Sequence, residues 1–149
     1  MHPRPHAVIP RLGALLVLLL SGCALFRTRD PEDRQITVEL PVSRAEAVRR
    51  TNAVFRVQGY RIRETLTSGP EPETERFRHG DADAVFRAVI DGEGRRSRVV
   101  FTGTYRQRDV GGLVRGPEKV VGRDADEQLG RELWARLQNL AITLRRGGE

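Results

Sequence analysis

An internal disulfide is excluded, because Cys23 is the only cysteine and one thiol cannot close a bridge within the chain. Lysine is as scarce. Lys119 stands alone among 26 basic residues, so planar guanidinium groups suited to bidentate pairing carry the positive charge, a skew that a GC-rich coding bias produces equally well. No apolar stretch is long enough for a spanning helix. Residues 12–20 make a run of nine, and extending it to Phe26 gives 15 interrupted by Gly13, Ser21 and Gly22, whereas a span takes about 20. Histidine is limited to His2, His6 and His79, which leaves little for a nucleophile and its base. Gly111, Gly112 and Gly116 are not followed by Gly-Lys-Ser/Thr, so they encode no phosphate-cradling loop. Internal repeats and low-complexity tracts are absent.

The N-terminus, by contrast, is strongly patterned. Arg4 and Arg11 precede the apolar run, and the small residues Ser21 and Gly22 follow it, the charged, apolar and cleavage order of an export signal. The four residues Leu20-Ser21-Gly22-Cys23 resemble the lipobox of bacterial lipoproteins, a match confined to the leader. That resemblance implies that the Cys23 thiol receives a diacylglycerol, that residues 1–22 are removed, and that the new amine is acylated. It also accounts for the odd cysteine; the alternative is an ordinary secretory leader with Cys23 beside the cut by chance. One acyl chain anchors only marginally, at about 0.8 kcal/mol per buried CH₂, whereas two or three hold firmly. Ala24 stands where an aspartate is the familiar inner-membrane retention signal, so the resemblance implies the outer membrane, facing the periplasm, in a host with two membranes. A chain of 127 residues from Cys23 onward is long enough for one modest core. Without Arg4 and Arg11 it carries 24 basic against 20 acidic side chains and is mildly basic. Nucleic acid is not expected as a partner, because an exported protein seldom meets it.

Residues 24–34 are polar after Phe26, contain Pro31 and read as a tether. Ile36, Val38, Leu40 and Val42 then alternate with polar positions, as a half-buried strand does. Ser43 with Glu46 three residues on has capping-box spacing, Val42 with Ala47 suits a hydrophobic staple, and Ala47, Val48, Thr51, Val54 and Phe55 form a helical stripe stopped by Gly59. A second strand is expected over residues 60–67, with Tyr60, Ile62 and Leu66 inward, followed by an exposed loop over residues 68–83. Phe86, Ala88 and Ile90, a turn at Asp91-Gly92-Glu93-Gly94, and Val99, Phe101, Gly103 and Tyr105 make a hairpin. Residues 107–123 are too glycine-rich for a helix and too apolar for a plain linker. A last helix opens at Asp124, with Glu127 in capping-box spacing, carries Leu129, Leu133, Leu137, Leu140 and Leu144, and ends at Gly147.

This pattern predicts one α+β domain over residues 35–146, with a tail at 147–149: an antiparallel sheet of about four strands in the order β-α-β-β-β-α, both helices on one face. In order and location it resembles the helix-grip domains of BamC-type and other outer-membrane lipoproteins. The likeness is one of topology, without a residue motif, and implies an envelope accessory or assembly-associated role while transferring no site.

The pleat supplies the first candidate surface. If Phe86, Phe101 and Tyr105 face the helices, then Arg61, Arg63, Arg87, Arg98 and Arg106 point the other way, interleaved with Val85, Val89, Val100, Thr65, Thr102 and Thr104. Guanidinium forks pair well with phosphate and carboxylate, so an anionic envelope component or an acidic protein surface is the expected partner. The same arginines also serve as the ordinary soluble face of a sheet, protecting its edges. A second candidate is a partner-binding loop at residues 107–123, where Leu113, Val114, Val120 and Val121 either dock into another protein or complete the chain's own core. A third is an envelope enzyme built on His79, but Ser43 reads as a cap, Ser68 as a loop boundary and Ser97 as part of the hairpin. His79-Gly80-Asp81-Ala82-Asp83 holds metal-ligand residue types in one short polar stretch, and Asp91-Gly92-Glu93-Gly94 lacks the spacing of a calcium loop. A binding protein with neither catalytic residues, cofactor nor metal is therefore expected.

Overall fold

The computed structural model describes residues 31–63, 71–109, 111–113, 116–125 and 127–147. The leader, Cys23 and the tether as far as residue 30 lie outside them, as do Thr65, Leu66, Ser68 and Val114. Along Ile36–Leu40 (β1) the alternation sorts the two faces: Val38 and Leu40 are buried, and Thr37 and Glu39 are exposed. Ser43 caps the helix Arg44–Val57 (α1), its hydroxyl accepting the Glu46 amide at 3.4 Å. No return bond from Glu46 to the cap completes the box; its carboxylate pairs with Arg50 at 2.7 Å and with Arg49. Ala47, Thr51, Val54 and Phe55 bury the helical stripe. Gly59, at φ +84°, turns the chain so that the Tyr60 amide donates back to the Phe55 carbonyl at 2.9 Å.

Ala82–Glu93 (β3) and Arg96–Gln107 (β4) form the central hairpin, in register from Ala82↔Gln107 to Glu93↔Arg96. Its turn lies further along than residues 91–94, because Asp91 and Gly92 still pair, with Arg98 and Ser97. The chain reverses at Gly94-Arg95, where Gly94 supplies the positive φ of +59° that the first central position of a two-residue hairpin favours. β1 lies antiparallel to β4, and Phe77–His79 (β2) lies antiparallel to the start of β3. Lys119–Val120 (β5) joins β4 at Thr104 and Tyr105, beyond the end of β1 on the same edge. The result is an antiparallel α+β sheet in the order β1-β4-β3-β2 with β5 beside β4. The second helix, Gln128–Arg146 (α2), packs on β1 and β4, while α1 packs on β3 and β4. Both helices cover the same face.

Of residues 60–83, those from 64 to 70 lie outside the described ones. Arg61, Ile62 and Arg63 make a single isolated bridge, Ile62↔Thr74, with the Arg63 amide donating to the Glu73 carbonyl at 2.9 Å and the Glu75 amide to the Arg61 carbonyl at 2.8 Å. The segment from Pro72 onward, expected as loop, pairs along β3. Pro72 lacks only a donor, and its carbonyl accepts the Ala88 amide at 2.8 Å. The Thr74 amide donates to the Phe86 carbonyl at 2.9 Å, and the Thr74 hydroxyl accepts the Phe86 amide at 3.0 Å. Glu71 and Glu75 lie on the exposed side of this sheet edge.

α2 starts at Gln128, later than the Asp124 cap predicts. Glu127 occupies the cap position without capping, because its carboxylate accepts the Tyr105 hydroxyl at 3.0 Å and pairs with Lys119. Leu133, Leu137, Leu140 and Leu144 are buried against the sheet, Leu129 is half-buried, and the helix ends at Gly147. Aromatic rings fill the layer between: Phe55 meets Phe101 edge-on at 6.0 Å, and Phe86 meets Phe77 at 4.9 Å and Tyr60 at 5.5 Å. Gly103 is required beneath Phe86, since a Cβ there would lie 2.8 Å from Phe86 Cδ1 and 3.0 Å from Val121 Cγ2. No helix among the described residues is long and apolar enough to cross a membrane.

Candidate functional site: the charged sheet face and the open end of the sheet

Strand pleating puts Arg87, Arg98 and Arg106 on the face away from the helices, where Val85, Val89, Val100, Thr102 and Thr104 are half-buried beside them. Arg61 and Arg63 flank the inward Ile62 and are exposed. The five candidate arginines therefore lie on solvent-facing surface, but with acids interposed. Glu73 sits between Arg63, at 3.2 Å, and Arg87, at 2.5 Å, bridging two neighbouring segments of the sheet. Arg98 reaches Glu39 on β1 at 2.8 Å and opposes Asp91 on β3. Arg106 lies 3.5 Å from Glu118. What composition presented as an arginine face is a set of alternating charge rows running across the strands.

These pairings set the protonation behaviour. Burial pushes the Glu73 carboxyl up, but hydrogen bonds from Arg87 and Arg63 outweigh it and hold the group below its ordinary value of 4.5. The bond to Glu73 likewise raises Arg87, and the bond to Glu39 raises Arg98. The arginine of each pair is open to solvent, which screens the attraction, so each adds little to stability. Arg61 stands apart, for among the described residues no acid pairs with it. With Arg56, Tyr60, Ile62, Arg63 and Glu75 it lines an open cleft of about 640 Å³ at the sheet edge.

His79 and its neighbours are also engaged. The imidazole Nε2 lies 3.2 Å from a carboxylate oxygen of Glu132 on α2, and a hydrogen bond from Gln128, together with that from His79, lowers the Glu132 carboxyl. Asp83, 7% exposed, receives Arg108 through Nε at 3.0 Å and through Nη2 at 2.7 and 2.9 Å. Among the described residues no three of His, Cys, Asp and Glu gather as metal ligands. Ser43 is a cap, and the buried Ser97 hydroxyl donates to the Val42 carbonyl at 2.7 Å.

The segment 107–123 divides. Val121 is wholly buried beneath the sheet's helical face, whereas Leu113 is 58% and Val120 46% exposed. Asp109 organises the turn that carries Leu113: its side chain accepts the Gly111 and Leu113 amides at 3.0 and 2.9 Å, and its own amide donates to the Leu113 carbonyl at 2.9 Å. Beside this end of the sheet, Arg34, Tyr105, Lys119, Asp124 and Glu127 line a second cleft, of about 300 Å³. Sequence reasoning missed the acids Glu39, Glu73 and Glu118. Glu39 was legible, since it occupies an outward position of β1; Glu73 and Glu118 became visible only through the strand register.

No protein-family model matches the chain, and no curated protein matches it.

Proposed function

We propose that this protein is a lipid-anchored lipoprotein of the bacterial cell envelope that acts by binding, as an accessory to an assembly or to an anionic envelope component, and performs no covalent chemistry. The observation that carries the proposal is Leu20-Ser21-Gly22-Cys23 directly behind a basic, apolar leader, which makes Cys23 the lipid attachment site and the sole cysteine intelligible. Outer-membrane attachment on the periplasmic side follows from Ala24 in a host with two membranes.

The charged sheet face is the surface offered to a partner. Arg63, Arg87, Arg98 and Arg106 alternate with glutamates, so the best complement is a protein surface that itself carries both signs. Around Arg61 and Arg56 the cleft keeps guanidinium groups without acidic partners among the described residues, and there a phosphate or carboxylate fits. Photo-crosslinking in the native envelope tests this, with the reactive residue placed at Arg61, Arg98 or Leu113, and at the exposed Arg136 of α2 as comparison. Adducts at Arg61 or Arg98 and none at Arg136 support the sheet face, and their identity separates protein from lipid or glycan. Equal yields at all positions count against it. The second proposal, a scaffold contacting partners through residues 107–123, is favoured by the exposure of Leu113 and Val120 and weakened by the burial of Val121.

A further inference from the structure

We infer that the end of the sheet bearing Leu113 and Val120 rests against the lipid bilayer, so that the two side chains dip into its interface and fix how the domain is presented. This orientation presupposes the lipid on Cys23 proposed above.

The chain length between the anchor and the domain limits which surface can face the membrane. From Cys23 to Pro31 there are eight Cα steps, which even fully extended reach no more than about 29 Å. A domain of this size has a radius of gyration of about 13 Å and is therefore roughly 35 Å across. The tether is shorter than the domain is wide, so the pole where the chain enters cannot be the one farthest from the headgroups.

That entry point is held firmly. The turn Pro31–Asp33 is tied to the segment after β5 by the Arg123 amide, which donates to the Asp33 carbonyl at 2.8 Å, and by the Arg123 guanidinium, 2.5 Å from the Asp33 carboxylate. Val120 is three residues before Arg123, on β5, and pairs with Thr104 near the C-terminal end of β4. Leu113 lies in the turn that follows β4, clamped by Asp109 and by Arg108, whose Nη1 donates to the Gly112 carbonyl at 3.3 Å. Among the described residues four large apolar side chains are markedly exposed. Two of them, Leu113 and Val120, are at this pole. The others, Val57 and Ile142, lie on the helical layer.

Charge does not drive this arrangement. Arg123 pairs with Asp33, Lys119 with Glu127, Arg106 with Glu118 and Arg108 with Asp83, and beyond these pairs the described charges there are Arg34 against Glu32, Asp109 and Asp124, so the pole offers no basic excess to anionic headgroups. Contact is therefore apolar, and added salt does not weaken it. Two shallow side chains would not hold a free protein on a bilayer, but the anchor keeps them at high effective concentration beside it, where weak contacts suffice to set orientation.

The test uses the lipidated chain, purified from membranes and placed in vesicles of phosphatidylethanolamine and phosphatidylglycerol. Because the lipid consumes the Cys23 thiol, an introduced cysteine is the single site for a polarity-sensitive fluorophore. Leu113→Cys, Val120→Cys, Val57→Cys and Ile142→Cys are compared for quenching by aqueous iodide, in low and in high salt. The expected result is blue-shifted emission and quenching reduced about threefold or more at positions 113 and 120, not weakened by salt, with full quenching at 57 and 142. Equal quenching at all four positions, with lipid on Cys23 established by mass, overturns this orientation and leaves anchoring intact. Protection at 113 and 120 in native envelopes but not in vesicles also overturns it, in favour of a protein partner on that pole. A parent chain whose Cys23 takes up the fluorophore overturns both proposals.

Discussion

Replacing Arg108 with alanine strands the Asp83 carboxylate, which is 7% exposed and accepts from Arg108 at 2.7, 2.9 and 3.0 Å. Removing one partner of a buried pair leaves an uncompensated charge and costs about 3–5 kcal/mol. Arg108 keeps 28% exposure, so water reaches the vacated position and the lower end, about 3 kcal/mol, is expected. With a urea m-value of about 1.5–2 kcal/mol/M, that lowers the unfolding midpoint by roughly 1.5–2 M. Trp134, the sole tryptophan and 7% exposed, reports the transition by fluorescence in the segment 31–149. Asp83→Asn, which keeps the shape and removes the charge, should cost less than Arg108→Ala. The double variant should be more stable than the sum of the single effects implies, with a coupling of about 2 kcal/mol. Arg108 also holds Gly112, so Arg108→Ala should speed proteolysis between Gly111 and Lys119. A loss below about 1 kcal/mol, or additive single effects, would refute a buried pair at this position.

Gly103→Ala forces a methyl to within 3 Å of Phe86 and is expected to destabilise by about 1–3 kcal/mol in the same assay. Ser43→Ala removes the α1 cap and should cost about 1 kcal/mol, with Ser43→Asp close to neutral. Glu73→Gln should cost under about 1 kcal/mol at neutral pH, since its arginine partners are 65% and 55% exposed. The Glu73 carboxyl is lowered in the fold, so its contribution is complete above the ordinary carboxylate range and lost in acid. The difference between parent and Glu73→Gln should accordingly be constant above about pH 5 and shrink below it, as denaturation midpoints across pH will show.

The elements with strong local patterns were legible in the chain. Ser43 begins a helix and Gly59 ends it, the leucine stripe of α2 is buried, and residues alternating around Phe86 and Phe101 make the central hairpin. The short elements were not. β2 and β5, of three and two residues, owe their existence to pairing with β3 and β4, and nothing local in Phe77-Arg78-His79 or Lys119-Val120 announces that partner. The same limit governed the charged face. Which way each arginine points follows from the pleat, but Glu73 between Arg63 and Arg87 depends on a register set at long range. Competition explains the displaced start of α2, where the carboxylate available to cap serves Tyr105 and Lys119 instead.

Lipid on Cys23 is read from the intact mass of the chain isolated from membranes. A chain that begins at Cys23 and carries a thioether-linked diacylglycerol with an amide-linked acyl group is expected, together with a Cys23→Ala variant that no longer partitions with membranes. A membrane-derived or soluble chain whose Cys23 thiol is free would contradict anchoring.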